Sequence, residues 1–439
     1  MKKSTTILAL VMALALSGGT LSACGNESKA DASGKGHVYY HSMKVEQVGQ
    51  YKQLAKRFTK KTGITVDITS ASSDQYEQSL KGELAKSKAP TLFDVDNNNF
   101  PNWTSYYDDM SDTNPYKDLT KKEFALKSEG KVSAVPFIME RYGLIYNKAL
   151  LKKYFDSSWS TIKSVDKINN FKALKIVADE IQEHKNDLGV SGAFTSAGFD
   201  PSSMHRFSDQ TAHIPVYYEY KDQKTDTIPA KISGKYMPNF KNIFDLYLKD
   251  ATVAPTQLAG ATMEDAYSDF NLKKAVFIQT GTWAYKQLRG QGVADEDMGV
   301  LPIYIGTKGE EKEGLTVSFE YWAMNKNAPD KDKKATKEWM DYILNDNDAR
   351  KYTSEEMGFE TPFKSYAKAG FKTANPIHRA NDAYAKAGNY DVVIYPLPSQ
   401  QWVSTLGNAM LEYAQGTKDW GNVKTAFVDG WSSEYKITH

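Results

Sequence analysis

Strands and helices alternate along this 439-residue chain, and the alternation predicts an α/β fold with mainly parallel sheets. Two further observations bound that fold. The length suits two domains, or three. A single cysteine, Cys24, excludes a disulfide within the chain, so stability must come from the core that a chain of this size can build.

The chain opens on Met1-Lys2-Lys3, an apolar run from Ile7 to Leu16, and Leu21-Ser22-Ala23-Cys24. A cationic start, a short apolar stretch and small residues before a cleavage point describe a secretory signal over 1–23, too short to span a bilayer. The tetrapeptide resembles the lipobox of bacterial lipoproteins, which implies that the Cys24 thiol carries lipid and anchors the chain to the extracellular face of the cell membrane, in a Gram-positive type of envelope. Residues 24–36 are small, polar or charged, with no large apolar residue, and read as a flexible tether. Removing 1–23 takes only Lys2 and Lys3 from a formal net charge of +1. A nearly neutral body has no global field to draw it to nucleic acid.

Val38–Tyr40 gives a strand signal, then Val48, Tyr51, Leu54, Ala55 and Phe58 fall at helical spacing with Gly63 as the stop. Ile64, Val66 and Ile68 alternate as a strand. Asp74 and Glu77 form a capping-box pattern before Tyr76, Leu80 and Leu84. Pro90 breaks the chain ahead of a strand at Leu92–Val95. Leu144–Tyr146 reads as another strand, and Ile168, Phe171, Leu174, Val177 and Ile181 as a long amphipathic helix. The stretches 239–249, 331–345, 400–415 and 422–435 are helical by the same spacing. There is no internal repeat.

Catalytic and metal signatures are sparse. The seven histidines are scattered and form no His-Glu-x-x-His, and no Gly-x-Ser-x-Gly elbow, P-loop or dinucleotide fingerprint is present. The sequence therefore implies no metal and no cofactor. Carboxylates are plentiful, so a glycosidase pair, which is set by space and not by spacing, stays open.

Aromatic residues are abundant, with 8 Trp and 27 Tyr, many beside Asp, Asn or Glu. A sugar ring offers an apolar face that stacks on Trp or Tyr and a rim of hydroxyls that wants carboxylate and amide partners. Candidate clusters are Asp94, Asp96, Asn97 and Asn98 with Trp103; Glu140-Arg141-Tyr142; Trp283; Glu320-Tyr321-Trp322; and Trp402. Any one Trp is better explained by core packing. Their joint placement in loops after strands favours a site, because ligands of open α/β sheets bind beyond the carboxyl ends of the strands.

The segment Pro136-Phe137-Ile138-Met139-Glu140-Arg141-Tyr142-Gly143-Leu144-Ile145-Tyr146-Asn147-Lys148 resembles the crossover of family 1 extracellular solute-binding proteins of carbohydrate ABC importers. Phe270–Trp283, Tyr321–Lys326 and Gly358-Phe359-Glu360-Thr361-Pro362 are similar to three further blocks of that family, in its order. The resemblance, distant where maltodextrin-binding proteins are concerned, implies a two-lobed periplasmic-binding-protein-like fold with a ligand cleft between lobes. It divides the chain into 37–136 with 301–361 and 137–300 with 362–439. It implies hinge closure around an oligosaccharide, delivery to permease subunits, a monomer, and no chemistry on the ligand. Carried over by position, Glu140 is a sugar-hydroxyl acceptor and Trp283 and Trp402 are stacking aromatics. Met43 and Glu46 lie in the polar loop after the first strand, and Asp94–Asn99 in the acidic loop after the third. Asp200 and His205, in the loop Thr195–Arg206, are weaker candidates for the second lobe. Two other classes stay open: an extracellular glycosidase, and a peptide or amino-acid receptor, for which Arg141 and Arg206 are the only arginines at hand.

Overall fold

The computed structural model describes residues 34–438 apart from Ser72, Ala197, Pro201, Gly290 and Gln291. The lipobox with Cys24, the signal stretch and the tether up to residue 33 lie outside the described residues, as does the side chain of Asp74 in the expected capping box.

Among the described residues ten strands form the scaffold: β1 (His37–Ser42), β2 (Thr65–Ser70), β3 (Leu92–Val95), β4 (Leu126–Ser128), β5 (Lys131–Asn147), β6 (Gly192–Phe194), β7 (Ala275–Gly281), β8 (Met298–Leu301), β9 (Glu313–Met324) and β10 (Tyr390–Val393). The main path runs β2-β1-β3-β9-β5-β7-β6, with β4 and β8 on β5 and β10 on β9. The pairs β1·β2, β1·β3, β6·β7 and β9·β10 are parallel. The pairs β3·β9, β4·β5, β5·β7, β5·β8 and β5·β9 are antiparallel. The α/β expectation holds, but the sheets are mixed where mainly parallel ones were expected. The departure comes from β5 and β9, two long strands that pass through both halves; β5 runs against all its neighbours and β9 against β3 and β5.

The predicted helices form with small boundary changes: Val48–Thr62, Phe171–Glu183, Met237–Lys249, Asp330–Asn345, Gln400–Ala414 and Trp420–Thr438. Gly63 ends the first of them at φ 79°, a left-handed conformation that costs glycine little. Ile168 falls outside its expected helix, which starts at Phe171 behind an Asn170 side-chain cap. The strand read at Leu144–Tyr146 is the end of the 17-residue β5, which carries Pro136 inside it. A register shift between Pro136 and Ile138 absorbs the proline, which has no N–H for the ladder.

Buried side chains divide along these two strands. Phe137 and Ile138 of β5 and Trp322 and Met324 of β9 pack with Tyr51, Phe58, Trp339, Phe363 and Tyr366, while Phe319 and Tyr321 pack with Tyr76, Phe93 and Trp103. Tyr142, Leu144 and Tyr146 pack instead with Leu301, Ile303, Tyr304, Phe244 and Trp402. Ile145 and Leu315 join Phe270, Ile278 and Ile377. The polypeptide thus leaves one pair of cores and enters the other near residues 139–141 and 316.

Candidate ligand cleft at the crossing strands

Side chains alternate along a strand, so Glu140 and Tyr142 leave one face of β5 and Arg141 the other. Glu140 pairs with Ser318 and Ile138 with Glu320, which makes Glu140 and Glu320 diagonal neighbours on one face. Two buried carboxylates so placed repel each other. Lys44, from the loop after β1, lies between them, with Nζ 2.7 Å from Glu140 Oε1 and 2.6 Å from Glu320 Oε1. A third glutamate, Glu46, lies 3.8 Å away. Burial alone would lower the Lys44 pKa, but the three glutamates reverse this and hold it well above its usual range. Burial pushes the Glu320 carboxyl well up, with Lys44 opposing. Burial likewise raises Glu46, again against Lys44. The three carboxyl groups make the centre rich in hydrogen-bond acceptors, and Glu320 Oε2 is buried without a partner.

The carboxylates of β3 and its loop are occupied in building that loop. Asp94 accepts from Tyr40 Oη (2.7 Å), Ser42 Oγ (2.8 Å) and Met43 N (2.9 Å). Burial pushes it up to about 6 against those bonds. Asp96 accepts from the Asn98 and Asn99 amides at 2.8 Å each, and Asn99 Oδ1 accepts from Asp96 N at 3.0 Å. Asp96 is also pushed up to about 6, by burial and then by the carboxylate of Asp209 on the opposite half. The loop reaches across the cleft: Asn97 Nδ2 donates to Ile394 O (3.4 Å), and Leu397 N donates to Asn98 Oδ1 (3.2 Å). Beside it Met43, Asp96, Asn98, Trp103, Tyr106 and Gln400 line a pocket of about 690 Å³. Trp103 Nε1 is buried without a partner.

From the other half, the Tyr142 hydroxyl donates to Gln210 O (3.2 Å), and its ring lies 6.0 Å from the half-buried Trp283. Gly281 explains the position of that indole. A Cβ at 281 would lie 2.2 Å from a ring atom of Trp283, so only glycine lets the ring fold onto the end of β7. Lys286 Nζ donates to Gln47 Oε1 (3.0 Å), a second contact across the cleft. On the reverse face of β5, Arg141 pairs with Glu360 and lies 3.7 Å from Asp391, while His378 Nδ1 is 2.7 Å from Glu360. Burial would raise Glu360, but His378 and Arg141 hold it below the usual carboxylate range.

Of the residues expected at the site, Glu46, Glu140 and Glu320 meet at Lys44, Met43, Asp96, Asn98 and Trp103 line the pocket beside the β3 loop, Asn97 bonds to Ile394, and Tyr142 packs near Trp283. Asp94 sits behind the cleft as a support. Trp322 does not reach it, being fully buried and stacked on Phe137 at 4.2 Å, with Nε1 on Tyr40 Oη. Tyr321 is buried against Phe319. Trp402 is fully buried too, donating to Phe427 O (3.0 Å) with edge contacts to Phe427 and Trp431, which leaves no face for a ligand ring. These three side chains belong to the cores because their strand or helix faces point inward. Asp200 accepts the hydroxyls of Ser202 and Ser203 and so braces its own loop. His205 is half-buried just before the irregular helical turn Arg206–Thr211. Lys44, Gln47, Asp209, Lys286 and Gln400 were not singled out from the sequence. For Lys44 the only sequence signal is its place in the loop after β1.

The family model for bacterial extracellular solute-binding proteins matches residues 53–380. The chain belongs to that family. It is 28% identical over 216 residues to the melibiose/raffinose/stachyose-binding protein MelE of Bacillus subtilis (strain 168), a match covering 48% of this chain and 47% of that one. The match thus spans about half the length of that curated relative. Among solved structures, a family 1 extracellular solute-binding protein from Bifidobacterium longum subsp. infantis is similar with a TM-score of 0.61 at 20% identity, over 90% of this chain and 99% of that one. A sugar transporter protein of Bacillus licheniformis in complex with stachyose gives 0.62 at 19%, over 91% and 100%. At such identities the likeness establishes the fold: two lobes joined by crossing strands.

Proposed function

We propose that this chain is a receptor that captures a neutral oligosaccharide between its lobes and delivers it to the permease of an ABC importer, tethered to the membrane through lipid on Cys24. The observation that carries the reading is the cleft itself. Lys44, Glu140 and Glu320 form a buried centre rich in hydrogen-bond acceptors, and on the same face of β5 Tyr142 sets its ring 6.0 Å from the half-buried Trp283; together they offer a polar floor for hydroxyls and an apolar face for a ring. The relative named for melibiose, raffinose and stachyose supports a sugar of that class. Glu46, Asn97, Asn98, Trp103, Glu140, Tyr142, Trp283 and Glu320 are the residues we assign to ligand contact, with Lys44 added. A few hydrogen bonds to charged groups, at about 1.5–3 kcal/mol each, with one or two stacked rings, reach micromolar affinity.

The lobes follow the packing. We take the crossings at about 139–141 and 316, which assigns 301–315 to the second lobe and 362–366 to the first, in place of boundaries at 136, 301 and 361. The contacts of Asn97, Asn98 and Lys286 across the cleft are then contacts between lobes, and ligand binding works by hinge closure. A hydrolytic reading has less support, since Glu140 and Glu320 share one lysine and neither is free to act as an independent acid or base.

A thermal-shift panel of melibiose, raffinose, stachyose, maltose, short peptides and amino acids tests the reading, followed by calorimetry on any ligand found. A ligand at 100 times its dissociation constant adds about 2.7 kcal/mol. Stabilisation by a galactoside or glucoside is expected, with the sugar recovered intact. Stabilisation by peptides alone, or release of monosaccharide, would sink it.

A further inference from the structure

The body is nearly neutral, yet its charge is not evenly spread. One open depression on the first lobe is lined by Lys52, Lys56, Lys60, Lys86, Lys88 and Lys331, against two carboxylates, Asp67 and Asp332. Both carboxylates are engaged at the start of β1: Asp332 accepts from the His37 amide at 2.9 Å, and Asp67 lies 3.2 Å from the His37 ring. Lys86 is paired with Glu83 at 2.6 Å. Lys52, Lys56, Lys60 and Lys88 are exposed, and among the described residues none of the four forms an ion pair.

Local structure gathers these charges. Lys52, Lys56 and Lys60 stand four residues apart on the helix Val48–Thr62, which turns Tyr51, Leu54, Ala55 and Phe58 into the core, so the three lysines share one outer face. Like charges at that spacing repel, a cost that an anionic partner removes. Lys86 and Lys88 precede β3, and Lys331 opens the helix Asp330–Asn345. β1 and β2 run parallel away from this end, with His37 opposite Thr65, and β1 leads at its far end to Lys44 and the cleft. Its six residues, at about 3.3 Å each, set the amino end of the sheet roughly 20 Å from the cleft.

The place where the chain enters the body points to the partner. Lys35 Nζ donates to Thr62 O at 2.8 Å, and a Cβ on Gly36 would lie 2.3 Å from Lys331 O, so the polypeptide comes in at the rim of the depression. Eleven residues separate Cys24 from Lys35. At no more than about 3.6 Å each they span at most about 40 Å. Lipid on Cys24 therefore keeps the basic face within that reach of a bilayer, whose anionic headgroups attract lysines once they come within a Debye length, about 8–10 Å.

We propose that the basic depression of the first lobe is a docking face for an anionic lipid surface, which seats the tethered receptor with its cleft turned toward solvent. The proposal rests on the lipid-anchor reading for proximity alone. The attraction belongs to the lysines.

The test uses the purified full chain carrying Cys24→Ala, which cannot be acylated, so that binding reads the face and not the lipid. Sedimentation with vesicles of phosphatidylglycerol and phosphatidylcholine is compared with vesicles of phosphatidylcholine alone. Binding to the anionic vesicles should exceed binding to the neutral ones and fall as salt is added. Each lysine near an anionic surface is worth about fivefold, so Lys52→Gln/Lys56→Gln/Lys60→Gln should weaken the anionic binding roughly a hundredfold. Lys153→Gln/Lys172→Gln/Lys231→Gln removes the same charge from exposed positions of the second lobe and should change it by less than about twofold. Equal binding to the two kinds of vesicle, or an equal loss in the two triple variants, would overturn the docking face. Binding to soluble polyphosphate with none to vesicles would give the lysines to another polyanion and overturn it as well. The lipid anchor is read separately, by cell fractionation of Cys24→Ala after a high-salt wash that strips charge-held chain and leaves lipid-held chain in place, so the two readings fail independently.

Discussion

Replacing Lys44 by methionine removes the one cation between Glu140 and Glu320 while keeping much of the side-chain volume. At an effective dielectric of about 20, unit charges 2.7 Å apart attract by about 6 kcal/mol, and Lys44 makes two such contacts, at 2.7 and 2.6 Å. Desolvation offsets much of that attraction in the native protein. Removing one partner, however, leaves buried carboxylates uncompensated, a loss of about 3–5 kcal/mol. The sign with pH follows. Without the ammonium, the diagonal pair in the folded state holds a proton more tightly than the unfolded chain does. The penalty is therefore absent only below the ordinary carboxylate range, is small at pH 5, and grows as pH rises toward and through the raised folded value. Urea unfolding followed by tryptophan fluorescence at pH 5 and pH 8 measures this. Lys44→Met should be much less stable than the parent at pH 8 and close to it at pH 5, and Lys44→Met/Glu320→Gln should recover most of the loss at pH 8. An equal loss at both pH values, or no rescue by Glu320→Gln, would refute the argument, because the lysine would then be acting as packing and not as charge.

Trp402→Ala should cost about 3–5 kcal/mol by opening the second core, while the folded fraction keeps its sugar affinity in calorimetry; a selective loss of affinity would return Trp402 to the site. Gly281→Ala places a Cβ 2.2 Å from the Trp283 ring, so oligosaccharide affinity should fall about three- to tenfold, with an altered near-ultraviolet circular dichroism band. Asp250 is fully buried, and although Lys249 Nζ lies 3.9 Å from its Oδ1, burial, with the neighbouring Asp179 adding to it, pushes it up to about 7. It therefore weakens the fold as pH rises from about 4 through 7, and Asp250→Asn should stabilise by on the order of 2–4 kcal/mol at pH 8 and little at pH 4.5 in urea titrations. Cys24→Ala should move the chain from the membrane fraction to the medium without changing sugar affinity, and retention in the membrane would count against the lipid anchor.

Periodicity made the outer elements legible. Val48 to Phe58 and Gly63, or Leu92–Val95, carry a spacing and a stop that hold whatever packs against them. The long strands were not legible in the same way. β5 is buried along nearly its whole length and contains Pro136, so neither alternation nor composition marks where it starts, and its partners β7, β8 and β9 lie far away in sequence. The charged centre suffers from the same separation. Glu140 is 96 residues from Lys44, and no spacing along the chain announces that the two meet.

Tryptophan shows where residue type stops informing. Trp283 and Trp402 look alike in sequence, each near a turn with polar neighbours. What separates them is the surface against which they fold: the bare backbone of Gly281 for one, the rings of Phe427 and Trp431 for the other.

Glu140-Arg141-Tyr142 is the sharper case, because as a string it reads as one polar cluster. On a strand, consecutive residues cannot share a face. Glu140 turns to Lys44 and Tyr142 to Gln210 on the cleft side, while Arg141 turns to Glu360 and Asp391 on the reverse, where His378 also meets Glu360. The proposed ligand contacts and the ionic joint behind them are therefore adjacent in the chain yet separated by the thickness of the sheet. On the proposed hinge reading, a rotation of the lobes about β5 moves both together. A substitution at Arg141 should then act on closure and a substitution at Glu140 on the bound sugar, although one peptide bond joins them.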